Sequence, residues 1–145
     1  DLGRALKLYG AACKVATNEG CTSGCNSLGS LYYYGSRHPS SNARIDEDRA
    51  KAASYYDRAC TAGCINSCDK LGDMFRNGDG IKADATRAAS LYQKACDGGP
   101  FAPSCAALSE LYASGTGVAK SATKAKQLFA RACQLSSDQV SGCRR

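Results

Sequence analysis

Four segments of this chain superpose when their first cysteines are aligned: RALKLYGAAC (residues 4–13), KAASYYDRAC (51–60), RAASLYQKAC (87–96) and KAKQLFARAC (124–133). Each opens on a basic residue followed by alanine (Ala5, Ala52, Ala88, Ala125). An aromatic follows four positions later (Tyr9, Tyr56, Tyr92, Phe129), another alanine three further on (Ala12, Ala59, Ala95, Ala132), and then the cysteine. Steps of four and three trace one face of an α-helix. A face that alternates one ring with two alanines lets a neighbouring helix approach closely. Repetition of this kind restricts the fold before any single motif is weighed.

A second segment follows in three of the units: CNSLGSLYYYG (25–35), CDKLGDMFRNG (68–78) and CAALSELYASG (105–115). Its apolar positions again share a helical face, as Leu71, Met74 and Phe75 do, and Leu108, Leu111 and Tyr112. Gly78 and Gly115 stand where a left-handed C-cap is expected, with Gly80 and Gly117 in the turn beyond. The unit is therefore helix, loop, helix, glycine turn.

The spacing is 36 residues from Cys60 to Cys96 and 37 from Cys96 to Cys133, within the range of helical-pair repeats. From Cys13 to Cys60 it is 47. The excess falls in the first loop and in the polar stretch SRHPSSNARI after Gly35, where insertions leave a stacked core intact. The expected fold is all-α, an α-solenoid of antiparallel helix pairs forming one domain over residues 1–145. Its repeats lie at about 1–46, 47–83 and 84–120, with a partial fourth at 121–145. The fourth unit stops at SGCRR, where a second helix is due, so the pattern expects further chain or another cover for that face. With no initiator Met and no leader, the sequence reads as a mature or excised product.

Ten cysteines in 145 residues, an even number at regular spacing, favour disulfides and an oxidising compartment. No apolar run approaches the roughly 18 residues of a membrane helix, so no membrane insertion is expected. The formal net charge is +6, from 19 basic and 13 acidic residues, and the basic residues lie along the chain near acids, as in DEDRAKAASYYDRAC. That distribution reads as a solvated surface, and no nucleic-acid partner is expected.

The order KAxxYYxxAC…CxxLGxMY…GxG(I/V) resembles the Sel-one-like repeat (SLR) family. With its paired cysteines the chain is most similar to the cysteine-rich SLR proteins typified by the Helicobacter cysteine-rich proteins. The resemblance covers nearly the whole chain, in three full units and a fourth half. It implies a right-handed superhelix of helix pairs with one disulfide per repeat, periplasmic or secreted, acting as a protein-interaction scaffold. Some members are described as weak penicillin binders or β-lactamases, and many carry β-lactamase-like labels. Two departures stand out: Ser109 replaces the glycine found at Gly29 and Gly72, and Cys21 and Cys64 exceed one pair per repeat.

With one disulfide per repeat, the pairs are Cys13–Cys25, Cys60–Cys68, Cys96–Cys105 and Cys133–Cys143. Each joins the end of one helix to the start of its antiparallel neighbour, a separation that suits a disulfide. Cys21 and Cys64 occupy equivalent positions four residues before the second-helix cysteine, and Phe101 and Gln139 stand there in the later units. They pair with each other across two repeats, remain a free reactive pair, or exchange within a loop. A metal site at Cys60, Cys64 and Cys68 lacks the short knuckles or histidines of zinc sites, and the one histidine is His38 in the polar insert. No metal and no cofactor is expected, and there is no C-x-x-C redox motif.

The penicillin-active signature S-x-x-K occurs as SCDK, Ser67 to Lys70. With 16 Ser and 9 Lys in the chain, chance supplies about one such match. No S-D-N or K-T-G completes the constellation, and the next unit has Ser104 and Ala107 at the same positions. Ser67 then reads as a helix N-cap beside a structural disulfide. A β-lactam hydrolase using Ser67 and Lys70 is the rival reading to a non-catalytic scaffold; an immunity or adaptor protein for one partner is a third.

A protein or peptide partner is expected on the concave face, which the resemblance assigns to the second helices. The non-core positions there are Asn26, Ser27, Ser30, Tyr33 and Tyr34; Lys70, Asp73, Arg76 and Asn77; and Ala107, Glu110 and Ser114. Tyr and Arg are the residue types enriched in binding hot spots.

Overall fold

A computed structural model describes residues 2–14, 24–37, 44–99, 101–135 and 142–143. Among them run α1 (Leu2–Lys14), α2 (Gly24–Tyr34), β1 (Ser36–Arg37), β2 (Arg44–Ile45), α3 (Arg49–Thr61), α4 (Ile65–Asn77), α5 (Ala85–Gly98), α6 (Ala102–Ser114) and α7 (Ala122–Leu135). Odd-numbered helices are the first segments of the units and even-numbered helices the second. Each helix packs chiefly on the one before it and the one after it, the quasi-one-dimensional arrangement of a solenoid. The molecule is a disulfide-stapled, all-α solenoid.

The starts of α3, α5 and α7 are set by side chains that the repeat pattern does not highlight. Asp48 accepts a hydrogen bond from the Lys51 backbone N–H at 2.9 Å, Asp84 from Arg87 at 3.0 Å, and Ser121 from Lys124 at 3.3 Å. All three stand twelve residues before the first cysteine of their unit, so these three units each carry an N-cap, worth about 1 kcal/mol. Gly78 and Gly115 end α4 and α6 at φ 65° and 75°, with backbone N–H groups bonded to the carbonyls of Met74 and Leu111. Only glycine adopts that left-handed conformation without strain.

Two kinds of layer alternate along the core. In the first, a tyrosine of a first helix fills the gap left by a glycine of the preceding second helix. A Cβ on Gly29 would lie 2.6 Å from the Tyr56 ring, and one on Gly72 2.8 Å from the Tyr92 ring. Tyr56 and Tyr92 are fully buried as a result. Their hydroxyls find partners at the residue after each glycine: Tyr92 donates to Asp73 at 2.6 Å, and Tyr56 shares a hydrogen bond with Ser30 at 3.2 Å. The last unit explains its own departure. Phe129 has no hydroxyl to satisfy, and Ser109 in place of glycine donates to the Ala125 carbonyl of α7 at 2.7 Å. On α1 the equivalent ring, Tyr9, is 38% exposed.

The second kind of layer is built on the staples. Cys13–Cys25, Cys60–Cys68, Cys96–Cys105 and Cys133–Cys143 are bonded, with Cα separations of 4.5, 4.7, 4.8 and 5.3 Å. Ala59, Ala95 and Ala132 of the following first helices pack on the first three of these bridges. The alanine beside each cysteine is thus the seat of the previous unit's disulfide, and a larger side chain would hold the units apart. Cys64 is buried and also disulfide-bonded; its expected partner, Cys21, lies outside the described residues.

Where the sequence pattern predicts only a polar loop after Gly35, Ser36 and Arg37 pair antiparallel with Ile45 and Arg44. Gly35 turns the chain at φ 66°, and Ile45 is buried beneath the ladder. A two-residue ladder has too little alternation to register as a strand in sequence. His38 lies outside the described residues.

Candidate interaction surface

Ser67 and Lys70 lie near the start of α4. Ser67 is 0% exposed, and its hydroxyl donates to Asn26 Oδ1 of α2 at 2.8 Å. One unit on, Ser104 is equally buried and donates to Asp69 Oδ1 at 2.5 Å. Ser67 matches Ser104, and Asn26 matches Asp69, so this is one inter-repeat hydrogen bond made twice. The Ser67 proton is committed to an amide oxygen and closed off from solvent, whereas a nucleophile must be reached by both base and substrate. A second S-x-x-K match, Ser121 to Lys124, is missed by attending to Ser67 alone, and its serine is the N-cap of α7.

Asp69 carries a cost that Asn26 does not. Burial pushes its carboxyl pKa above the ordinary range, and the Ser104 hydrogen bond pulls part of the way back. A carboxyl whose folded pKa exceeds its unfolded value binds protons more tightly when folded. Stability is therefore lost as pH rises from the ordinary carboxylate pKa of about 3.9 through the folded value. Asp69→Asn keeps an acceptor for Ser104 and is expected to raise the melting midpoint at pH 7 by about 3 °C, as a gain near 1 kcal/mol would. The two melting midpoints should converge towards pH 4, as followed by circular dichroism across that range. A lower midpoint for the variant at pH 7 would contradict the account.

The second-helix positions divide into those used for stacking the units and those left over. Tyr33 of α2 donates to Asp79 at 2.7 Å, and Arg49 of α3 bridges Asp79 and Glu47 while lying over the Tyr33 ring. Donating to a carboxylate, with some burial, pushes the Tyr33 pKa up to about 12. Arg49 and then Tyr33 hold the Asp79 carboxyl below its usual value. Arg76 of α4 pairs with Glu110 of α6 at 2.6 Å.

Asp73 is the acceptor for Tyr92 and so is a stacking residue, not a spare surface position; Ser30 and Asn26 serve in the same way. Each directly follows the glycine or cysteine of its own second helix, but the partner it serves lies in another unit. Ser114 turns its hydroxyl to the Glu110 carbonyl and to Thr116. Tyr34, 66% exposed, Asn77, also exposed, and half-buried Ser27 and Lys70 are not drawn into inter-repeat hydrogen bonds among the described residues, and the bonds of Ser114 stay within its own unit.

Beside this face an open cleft of about 710 Å³ is lined by Leu6, Tyr32, Ile45, Glu47 and Arg49 among others. Among the described residues no group of three His, Cys, Asp or Glu side chains is placed to hold a metal ion. No helix among them is long and apolar enough to cross a membrane.

Stacked helix pairs, one staple per described unit and a ring-in-glycine joint between units define a cysteine-rich helical-repeat protein. The chain belongs to the Sel1 repeat family, whose model matches residues 22–64, 65–100 and 102–137. Among solved structures it is similar to cysteine rich protein B of Helicobacter pylori, at 33% identity and a TM-score of 0.64, covering 95% of this chain and 90% of that one. It also shares the fold of a protective antigen of uropathogenic Escherichia coli displaying an SLR fold, with TM-score 0.75 and 23% identity over 89% of this chain. A Sel1 repeat protein from Oxalobacter formigenes matches with TM-score 0.68 and 23% identity over 78% of this chain. The chain spans 25% of the E. coli protein and 43% of the Oxalobacter one. No curated protein sequence matches it. Sel1 repeats generally mediate protein interactions.

Proposed function

We propose that the chain is a non-catalytic scaffold that binds a protein or peptide partner in an oxidising compartment, periplasmic or secreted. The observation that carries this reading is the fate of the polar groups. The one pair with a catalytic pattern on the second helices, Ser67 and Lys70, is split by a buried hydrogen bond from Ser67 to Asn26. The staples support an oxidising location, because short-loop disulfides form and persist there. On the second-helix face Tyr34, Lys70 and Asn77 are the contact candidates, with Tyr33, Arg76, Glu110 and Ser114 able to exchange their present bonds for a partner's.

The test is affinity capture from a periplasmic or secreted fraction, with the oxidised protein and a reduced, alkylated copy as baits. A partner held only by the oxidised bait, and weakened at least tenfold by Tyr34→Ala with Asn77→Ala, is the expected result. The hydrolase reading is tested in parallel by intact mass after incubation with benzylpenicillin. An adduct that disappears in Ser67→Ala would overturn the scaffold reading.

A further inference from the structure

The basic residues that look evenly spread along the sequence are gathered by the fold. The four first helices hold eleven of the 19 basic residues and two of the 13 acids, a surplus greater than the +6 of the entire chain. The three described second helices hold two basic residues and three acids. The net positive charge therefore belongs to one family of helices.

Within it the cations are placed in register. Lys51, Arg87 and Lys124 stand nine residues before their cysteines, and Arg58, Lys94 and Arg131 two residues before. The members of a pair are seven residues apart, or about 10 Å along a helix. All six are exposed. Lys51 lies over the Tyr32 ring at 4.1 Å, Arg87 over Phe75 at 4.5 Å and Lys124 over Tyr112 at 5.1 Å. Arg58 and Lys94 reach the carbonyls of Cys13 and Cys60 in the preceding first helices, and Arg131 reaches Asp97. The first three cations thus reach back to the preceding second helix and the last three to the preceding first helix, so that two columns of cations recur at the same places in successive units. Among the described residues, Arg131 alone of the six has an acidic partner.

We propose that the first-helix face is a docking surface for an extended acidic peptide segment of a partner protein. Charge complementarity commits the occupant to an acidic chain, because two columns of cations repeat once per unit. The rings argue against nucleic acid: each is already covered by the chain's own cation, which removes the open stacking platform that bases use. A cleft of about 270 Å³ between α5 and α7 supports a peptide. Leu128 lines it as an apolar contact for one side chain, Gln93 and Gln127 offer amides to a backbone, and Lys124, seated over the Tyr112 ring, and Arg131 bring the positive charge. The inference rests on the scaffold reading but uses the opposite set of helices, so the two can fail separately.

The test is fluorescence anisotropy of the oxidised protein with a labelled twelve-residue peptide of alternating Glu and Ser carrying one central Leu. Controls are the same peptide with Gln for Glu, an oligothymidylate of equal length and a sulfated polysaccharide. The acidic peptide should bind, the Gln peptide should bind at least tenfold more weakly, and affinity should fall about tenfold between 50 and 300 mM salt, as screening requires. Lys124→Glu with Arg131→Glu should reduce binding at least tenfold and the milder Lys124→Gln with Arg131→Gln about threefold, while Tyr34→Ala with Asn77→Ala leaves it within twofold. Unchanged far-ultraviolet circular dichroism certifies the fold of each variant. Equal binding of the Gln peptide, preference for the oligothymidylate or the polysaccharide, or loss only in the Tyr34 variant would overturn the proposal. A partner captured through Tyr34 with no acidic-peptide binding would sink this inference and leave the scaffold reading standing.

Discussion

Full reduction of the oxidised protein is expected to unfold it. The four described staples close sequence separations of 12, 8, 9 and 10 residues. On the chain-entropy estimate each contributes about 2.5 kcal/mol, or roughly 10 kcal/mol together. That equals the whole stability of an ordinary domain, about 5–15 kcal/mol. The loss is not spread evenly, because the bridges are also core: Cys68, Cys96 and Cys105 are 0% exposed, and the alanines of the next units rest on them. Removing the middle staple alone, as Cys96→Ser with Cys105→Ser, should lower the unfolding free energy by about 2.5 kcal/mol and bury two hydroxyls among Ala132 and Leu128 at further cost. Urea unfolding followed by circular dichroism, with and without reductant, reads both effects. Equal midpoints in the two conditions would show that the helices stack without their staples.

The second large effect lies at the ring-in-glycine joint. Gly72→Ala puts a methyl group 2.8 Å from Cε1 of a tyrosine that is fully buried and tied to Asp73, so neither the ring nor the helix has room to give. Overpacking of this kind costs about 1–3 kcal/mol, against a gain of up to about 1 kcal/mol from alanine's helix propensity. The net expected loss is about 1 kcal/mol. Ser109→Gly, the reverse change one unit later, should cost about the same for a different reason. It removes the hydrogen bond to the Ala125 carbonyl and introduces glycine into a helix. Denaturant titration of the two variants separates the mechanisms when Phe129→Tyr is added. The new hydroxyl should be tolerated better in the Ser109→Gly background than with Ser109 in place. A neutral or stabilising Gly72→Ala would remove the joint from the account.

Much of the fold was legible because a repeat states each constraint several times. The ring, the two alanines and the cysteine of a first helix recur four times, and their meaning is local: one face, one neighbour. The staples were legible once the helix ends were placed. The partners of the polar residues were not. Asp73 looked like a variable surface position because its role depends on Tyr92, nineteen residues away on the next helix. Ser67 reads in sequence as an N-cap, but α4 begins after Cys64, and the Ser67 hydroxyl is turned instead to Asn26, 41 residues back in the previous unit.

The basic residues illustrate the same limit. In sequence Lys51 and Arg58 flank Asp57. Stacking then lines up those cations with Arg87, Lys94, Lys124 and Arg131 on neighbouring first helices. Charge register between units is a property of the stack, and no single segment displays it. The ladder of Ser36–Arg37 with Arg44–Ile45 escaped for a simpler reason, since two residues cannot announce a strand.

The central claim is that each unit is locked to itself by one short bridge, while the described contacts between units are packing and hydrogen bonds, with the further bridge at Cys64 outside those four pairs. The most direct measurement is a disulfide map of the native, never-reduced protein, by digestion at low pH and mass spectrometry with partial reduction. The expected map links Cys13 to Cys25, Cys60 to Cys68, Cys96 to Cys105 and Cys133 to Cys143. Cys64 must also be bridged and outside those four pairs. A map in which first-helix cysteines of different units are joined, or in which Cys60 or Cys68 carries a free thiol, would contradict it.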